Sequence, residues 1–184
     1  DNPKSKRVEF DNSQLIRLGI AALIKGELEI AEGYSLSSLR KFKNKNDQEG
    51  ISQSLNILAS IYYRRGDLSL AEENLNECLT INLEYGYREM EANVLHNLGN
   101  INRDRGQFEE ANSFFEESIR IYQDMGLRIG EGDSMLSQGL VAAEIGEFKE
   151  AERIYRKCIE IFLEVGNKYS EGLAYMNLGI IYGK

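Results

Sequence analysis

Asn97 and Asn100 are the residues whose types and spacing most suggest a binding chemistry, in the segment Asn97-Leu98-Gly99-Asn100. Residues three apart on a helix share a face. A carboxamide presents two N–H donors and one acceptor in a plane, which matches the N–H and C=O of an extended peptide whatever its side chains. Each such bond contributes about 0.5–1.5 kcal/mol net. Arg64 and Arg103 add guanidinium forks suited to bidentate pairing with a ligand carboxylate.

Bond-making chemistry finds no comparable set. The single histidine, His96, cannot build a histidine metal site alone, and no cysteine or paired acid stands at ligand spacing beside it. No glycine-rich run leads into Lys-Ser/Thr, and Gly130-x-Gly132 lacks the third glycine of a dinucleotide fingerprint and follows a helix. No Ser/His/acid set can be nominated. Carboxylate pairs fall on exposed helix faces, where nothing raises a pKa. No cofactor or metal is implied, and an enzyme is not expected.

The elements that must position the asparagines repeat. Gly-x4-Ala occurs at Gly26/Ala31, Gly66/Ala71, Gly106/Ala111 and Gly146/Ala151, a step of 40 residues (66 − 26). A fixed period of roughly 20–50 residues marks stacked supersecondary units. Seven residues before each glycine stands a small residue, Gly19, Ala59, Gly99 and Gly139, with Gly179 in an incomplete last copy. Leu18, Leu58, Leu98, Gln138 and Leu178 precede them, and Ala22, Tyr62, Asn102, Ala142 and Tyr182 follow three later, one face of a helix A. After the glycine a helix B opens on Leu28, Leu68, Phe108 or Phe148, then carries the alanine, then Leu75, Phe115 or Tyr155, then Leu39, Leu79, Ile119 or Ile159. The glycine admits φ > 0 at a tight connection, and the small residues let the two backbones approach.

This pattern resembles the tetratricopeptide repeat family, over nearly the whole chain. The period is 40 rather than the usual 34, and the proline closing the usual repeat is missing; the only proline is Pro3. The 40-residue variety in polarity adaptors, kinesin light chains and C-terminal arrays of bacterial signal-transduction ATPases is similar. The resemblance implies an all-α, right-handed superhelical solenoid of antiparallel helix pairs, with four full repeats plus one terminal helix. The expected organisation is a polar lead-in at 1–10 and a single array at 11–184. Its repeats fall at about 12–51, 52–91, 92–131 and 132–171, with a half repeat at 172–184.

In that family helix A lines the concave side. Its non-core positions read Gln53, Asn56, Ile57, Ser60, Tyr63 and Arg64 in the second copy, and Asn93, His96, Asn97, Asn100, Arg103 and Asp104 in the third. The fourth reads Asp133, Leu136, Ser137, Leu140, Ala143 and Glu144, and the last helix adds Leu173, Met176, Asn177 and Ile180. The middle of the groove is thus amide- and arginine-rich. The candidate peptide-binding set is Asn56, Ser60, Tyr63, Arg64, Asn93, His96, Asn97, Asn100, Arg103 and Asn177. In the polarity adaptors the resemblance implies the same use of Asn and Arg. Two alternatives stay open: Asn and Arg keep a groove soluble and pair with Asp104 or Glu across helices, or a small molecule binds. The lysine of the shorter-period carboxylate clamp has no counterpart, since its position reads Ile16, Asn56, His96 and Leu136.

The formal charge of −8 disfavours a nucleic-acid partner. No apolar run approaches the ~20 residues that span a bilayer, and no signal peptide is evident. Cys78 and Cys158 occupy one repeat position two periods apart, beyond the ~7 Å Cα limit for a disulfide, and read as small buried residues in a reducing cytoplasm. Lys41–Asp47 reads as a solvated basic linker. The last helix, from about Ser170, carries Leu178, Ile181 and Tyr182 on its core face with no helix B to cover them, each uncovered side chain forfeiting roughly 1.5–3 kcal/mol. The expectation is a fragment of a longer array, or self-association through the ends. The functional expectation is an interaction scaffold holding an extended peptide. The alternative is a regulatory or effector-sensing segment of a larger signalling ATPase or transcription regulator.

Overall fold

A computed structural model describes residues 10–183. Among these the chain is all-α, with nine helices: α1 Asn12–Lys25, α2 Leu28–Lys45, α3 Gln48–Arg65, α4 Leu68–Tyr85, α5 Arg88–Asp104, α6 Phe108–Met125, α7 Arg128–Glu144, α8 Phe148–Val165 and α9 Lys168–Tyr182. They correspond to four A/B helix pairs and a ninth, A-type helix. Two compact units are distinguished, Asp1–Ile81 and Asn82–Lys184, with the boundary inside α4. The expected lead-in at 1–10 lies, apart from Phe10, outside the described residues. The Phe10 carbonyl accepts from Lys41 Nζ at 2.6 Å, and its ring meets Tyr34 edge-on.

Every connection is the same short turn. Glycines at 26, 66, 86, 106, 126, 146 and 166 have φ between 69° and 87°, and Asn46 takes the left-handed place at φ 52°. The following N–H reaches the carbonyl five residues back: Glu27 to Ala22 at 2.9 Å, Asp67 to Tyr62 at 2.9 Å, Leu127 to Tyr122 at 2.9 Å and Glu147 to Ala142 at 2.8 Å. This closure satisfies carbonyls that a helix end otherwise leaves orphaned. It also replaces the missing proline as the device that ends helix B. The linker expected at Lys41–Asp47 is accordingly absent. Lys41–Lys45 completes α2, Asn46 turns the chain, and Asp47 caps α3 by accepting from the Gly50 N–H at 3.0 Å. The longer period goes into longer helices. At the start of the described chain Asp11 and Gln14 form a reciprocal capping box.

In the first unit α1, α2 and α3 pack on one another around Ala22, Ala31, Ile57, Leu58 and Ile61. In the second unit α5 through α9 pack in sequence, and the A-type helices also touch directly, α5 with α7 and α7 with α9. Phe115 fits over Gly99, and Tyr155 over Gly139, where an added β-carbon would come within 2.5 Å of either ring. One column of helix B donates to the carbonyl 26 residues earlier: Cys78 to Ser52 at 3.3 Å, Ser118 to Ala92 at 2.9 Å and Cys158 to Gly132 at 3.6 Å. Both cysteines are free and fully buried. Burial pushes the Cys158 thiol up to about 12, so it stays protonated and unreactive.

The terminal helix departs from expectation. Leu178 and Ile181 are already buried with Ala174 against the α8 core, and of the three expected core residues only Tyr182 is exposed. Ala174, Leu178 and Ile181 stand four and three apart on one stripe, which meets α8 directly. What α9 exposes instead is Tyr169, Tyr175, Met176, Ile180 and Tyr182.

Candidate functional site

None of the ten residues expected to bind a ligand lies in the core. In the first unit Asn56, Ser60 and Tyr63 are half-buried and Arg64 is exposed; in the second Asn93 is exposed and His96, Asn97, Asn100, Arg103 and Asn177 are half-buried. Three neighbours read with them do not belong to the surface. Ile57, Leu136 and Ser137 are buried, because the A helices touch one another as well as their B partners and so hide a wider stripe.

Both arginines are already engaged. Arg64 donates to the Leu23 carbonyl at 2.6 Å, a second bond to an acceptor that the Gly26 N–H already meets at 3.1 Å. Arg103 donates to Asp104 at 2.9 Å and to Asn100 Oδ1 at 3.4 Å, and lies 3.8 Å from Glu144 on α7. Pairing with acids within and across helices thus accounts for Arg103 without a ligand. Ser60 hydrogen-bonds the Asn56 carbonyl at 3.0 Å, and the Asn93 amide donates to the Glu89 carbonyl at 3.0 Å.

His96 joins three helices. Asn100 Nδ2 lies 2.9 Å from His96 Nε2, His96 Nδ1 lies 3.1 Å from Ser134 Oγ on α7, and Ser134 Oγ lies 3.0 Å from Ser118 Oγ on α6. Ser118 donates to the Ala92 carbonyl. With the Asn100 amide as donor, every bond is satisfied when the ring is neutral and carries its proton on Nδ1, Ser134 then donating to Ser118. Burial, with Arg103 adding to it, holds the ring's pKa down to about 4, which fits that neutral state.

Beside this relay a cavity of about 590 Å3 opens between the N-terminal halves of α5 and α7. Asn93 and His96 line it from α5, and Asp133 and Ser134 from α7; the other candidates lie outside its wall. Tyr122, at the end of α6, reaches it because Gly130 leaves room: an added β-carbon there would come within 2.5 Å of the tyrosine ring. The exposed Glu89 also lines it, and Leu127, Ile129 and Val165 supply apolar wall. Arg128 is held by the buried Glu131 and, at 2.9 Å, by Glu164. Asp133 has a raised pKa because burial outweighs a 3.1 Å bond from Ser170.

The sequence reading missed Glu89, Tyr122 and Arg128, and passed over Asp133 among the fourth copy's non-core positions. In the first unit a cavity of about 430 Å3 is lined by Ile16, Phe42 and Gln53, which stand 80 residues before His96, Tyr122 and Asp133 (133 − 53). The gap between A helices therefore recurs at equivalent positions in the two units, with different chemistry in each.

Two tetratricopeptide repeat family models match the sequence, one over residues 50–124 and the other over 132–163, together more than half of the chain. The chain belongs to the tetratricopeptide repeat family. Such proteins are in general interaction scaffolds, and this chain has their helix-pair fold. Solved structures of similar fold include BtubC from P. vanneervenii, 20% identical with a TM-score of 0.79 over 93% of this chain and 71% of that one. A signal transduction ATPase with numerous domains, with a tetratricopeptide repeat sensor, from Pyrococcus horikoshii is 20% identical, TM-score 0.78, over 96% of this chain and 28% of that one. A Rap protein complexed with Competence and Sporulation Factor is 13% identical, TM-score 0.69, over 96% and 65%. At these identities the tetratricopeptide chain shares a fold with them and no more. Among curated proteins none matches it. No described helix is long and apolar enough to cross a membrane, and no described group of His, Cys, Asp or Glu is arranged to hold a metal ion.

Proposed function

We propose that this tetratricopeptide chain is a non-catalytic adaptor that holds an extended peptide segment of a protein partner on the exposed edges of its A helices. The observation that carries this reading is the cavity between α5 and α7, where Asn93 and His96 meet Asp133 and Ser134 beside an apolar wall. A cleft with a few convergent polar groups is the form a recognition pocket takes. Asn97 and Asn100 continue along the same helix, and Asn100, already bonded to His96 and Arg103, keeps a second N–H and a second lone pair for a peptide backbone. The fold is also that of a Rap protein solved with Competence and Sporulation Factor, which supports a bound partner on such a scaffold. Nucleic acid and membrane are not the proposed partners, and the proposed compartment is the cytoplasm.

A second reading, an effector-sensing segment of a larger signalling protein, draws support from the sensor of the Pyrococcus ATPase, of which this chain would correspond to 28%. Peptide display against the purified chain tests the first reading. Enrichment of one extended motif, lost on Asn97→Ala with Asn100→Ala, is the expected result. No enrichment from a library of ordinary complexity would overturn it.

A further inference from the structure

We infer that the cavity between α5 and α7 receives a lysine or arginine side chain of the bound peptide, with its cationic head between Asp133 and Glu89. The inference rests on the peptide-binding reading and adds the chemistry of the anchor residue.

Charge around the cavity is one-sided. Glu89 and Asp133 line it, and the one cation in its wall, Arg128, is compensated by both Glu131 and Glu164. Glu131 and Glu164 thus take up the single guanidinium, and Glu89 and Asp133 remain in the wall beside a neutral His96. The N-terminal end of α7 does not reverse the balance, because its partial charge of about half a unit is smaller than that of the two carboxylates in the wall. Among the described residues Asp133 has a hydrogen bond from Ser170 but no cationic partner. A half-buried carboxylate with one neutral donor is stabilised strongly by an arriving cation. The Tyr122 hydroxyl registers the same field: burial first, then Glu89 and Asp133, push its pKa upward.

Shape agrees with the charge. Leu127, Ile129 and Val165 give the cavity apolar wall, suited to the methylene stem of a long basic side chain whose head remains polar. The equivalent cavity of the first unit is different. It has Gln53 in place of Asp133, and its wall sets two cations, Arg17 and Lys45, against one acid, Asp47. An excess of acids over cations thus distinguishes the α5–α7 cavity from its first-unit counterpart.

The test uses degenerate decapeptide pools, fluorescently labelled, with lysine, arginine, acetyl-lysine, norleucine or glutamate fixed at the central position. Binding is read by polarisation on the full chain at low and at high salt. The lysine and arginine pools should bind about tenfold more tightly than acetyl-lysine or norleucine, an advantage shrinking with salt. Asp133→Asn, and separately Glu89→Gln, should remove most of it. Equal binding of the lysine and norleucine pools would overturn the basic anchor while leaving peptide binding in place. Binding of no pool at all would overturn both. If Asp133→Asn does not fold, the acetyl-lysine comparison on the unaltered chain still decides.

Discussion

Phe115 occupies the space that a side chain at Gly99 would need: an added β-carbon would lie 2.5 Å from its ring, and that ring is fully buried. The pair fixes how closely α5 and α6 approach. Gly99→Leu, or Ala111→Leu at the facing alanine, should therefore destabilise by about 1–3 kcal/mol or more through overpacking. Glu109→Ala and Glu117→Ala, on the exposed face of α6, should stay within about ±0.5 kcal/mol. Thermal melts distinguish the two classes, and equal effects would contradict the register.

Asn97→Ala with Asn100→Ala should weaken a display-selected peptide by roughly 1–3 kcal/mol, the sum of two to three amide bonds. Both residues are half-buried rather than core, so helicity should change little. Calorimetry with circular dichroism on the same samples checks both halves. Normal affinity, or an unfolded mutant, would refute the assignment.

Arg128→Met should destabilise the fold, because it leaves the buried Glu131 carboxylate without its cation and with the Gln123 amide as its remaining side-chain donor. Arg128→Met combined with Glu131→Leu should recover much of that loss. Urea denaturation of the single and double variants measures it, and a double variant as unstable as the single would argue against the pair.

Acid should act through His96. Its pKa is held near 4 in the folded chain against an ordinary 6.5, so the unfolded state takes up the proton first. Stability relative to His96→Gln is then constant above about pH 6.5 and falls as the pH drops towards 4. Arg103 lowers the value further, whereas Asp133, whose pKa is raised, is present in both proteins and drops out of the difference. Parallel denaturant titrations from pH 4 to 7 follow it. A difference that does not change with pH would show that the ring is not held neutral.

The apolar face of α9, with Tyr169, Tyr175, Met176, Ile180 and Tyr182 exposed, should promote self-association of these 184 residues. Tyr175→Glu with Ile180→Glu should reduce it. Sedimentation over a concentration series decides; a monomer at the highest concentration would dispose of the idea.

The repeat was legible from the chain alone because its signals are local. The left-handed glycines, the alanine five residues on, and the small residue seven before act through neighbouring backbone and one partner helix, and each recurs every 40 residues. The same locality explains what was misjudged. The starts of α5 and α7 carry few helix-favouring end signals; Tyr87 and Leu127 occupy N-cap places without a side-chain cap, so the helix there is held by packing. The burial of Ile57 and Leu136 came from contacts that A helices make with each other and with their B partners. The cavity is the extreme case. Glu89 and His96 come from α5, Tyr122 from α6, Asp133 from α7 and Val165 from the end of α8. A cavity lies where side chains from separate helices fail to fill the space between them, and no spacing along one helix encodes that shortfall.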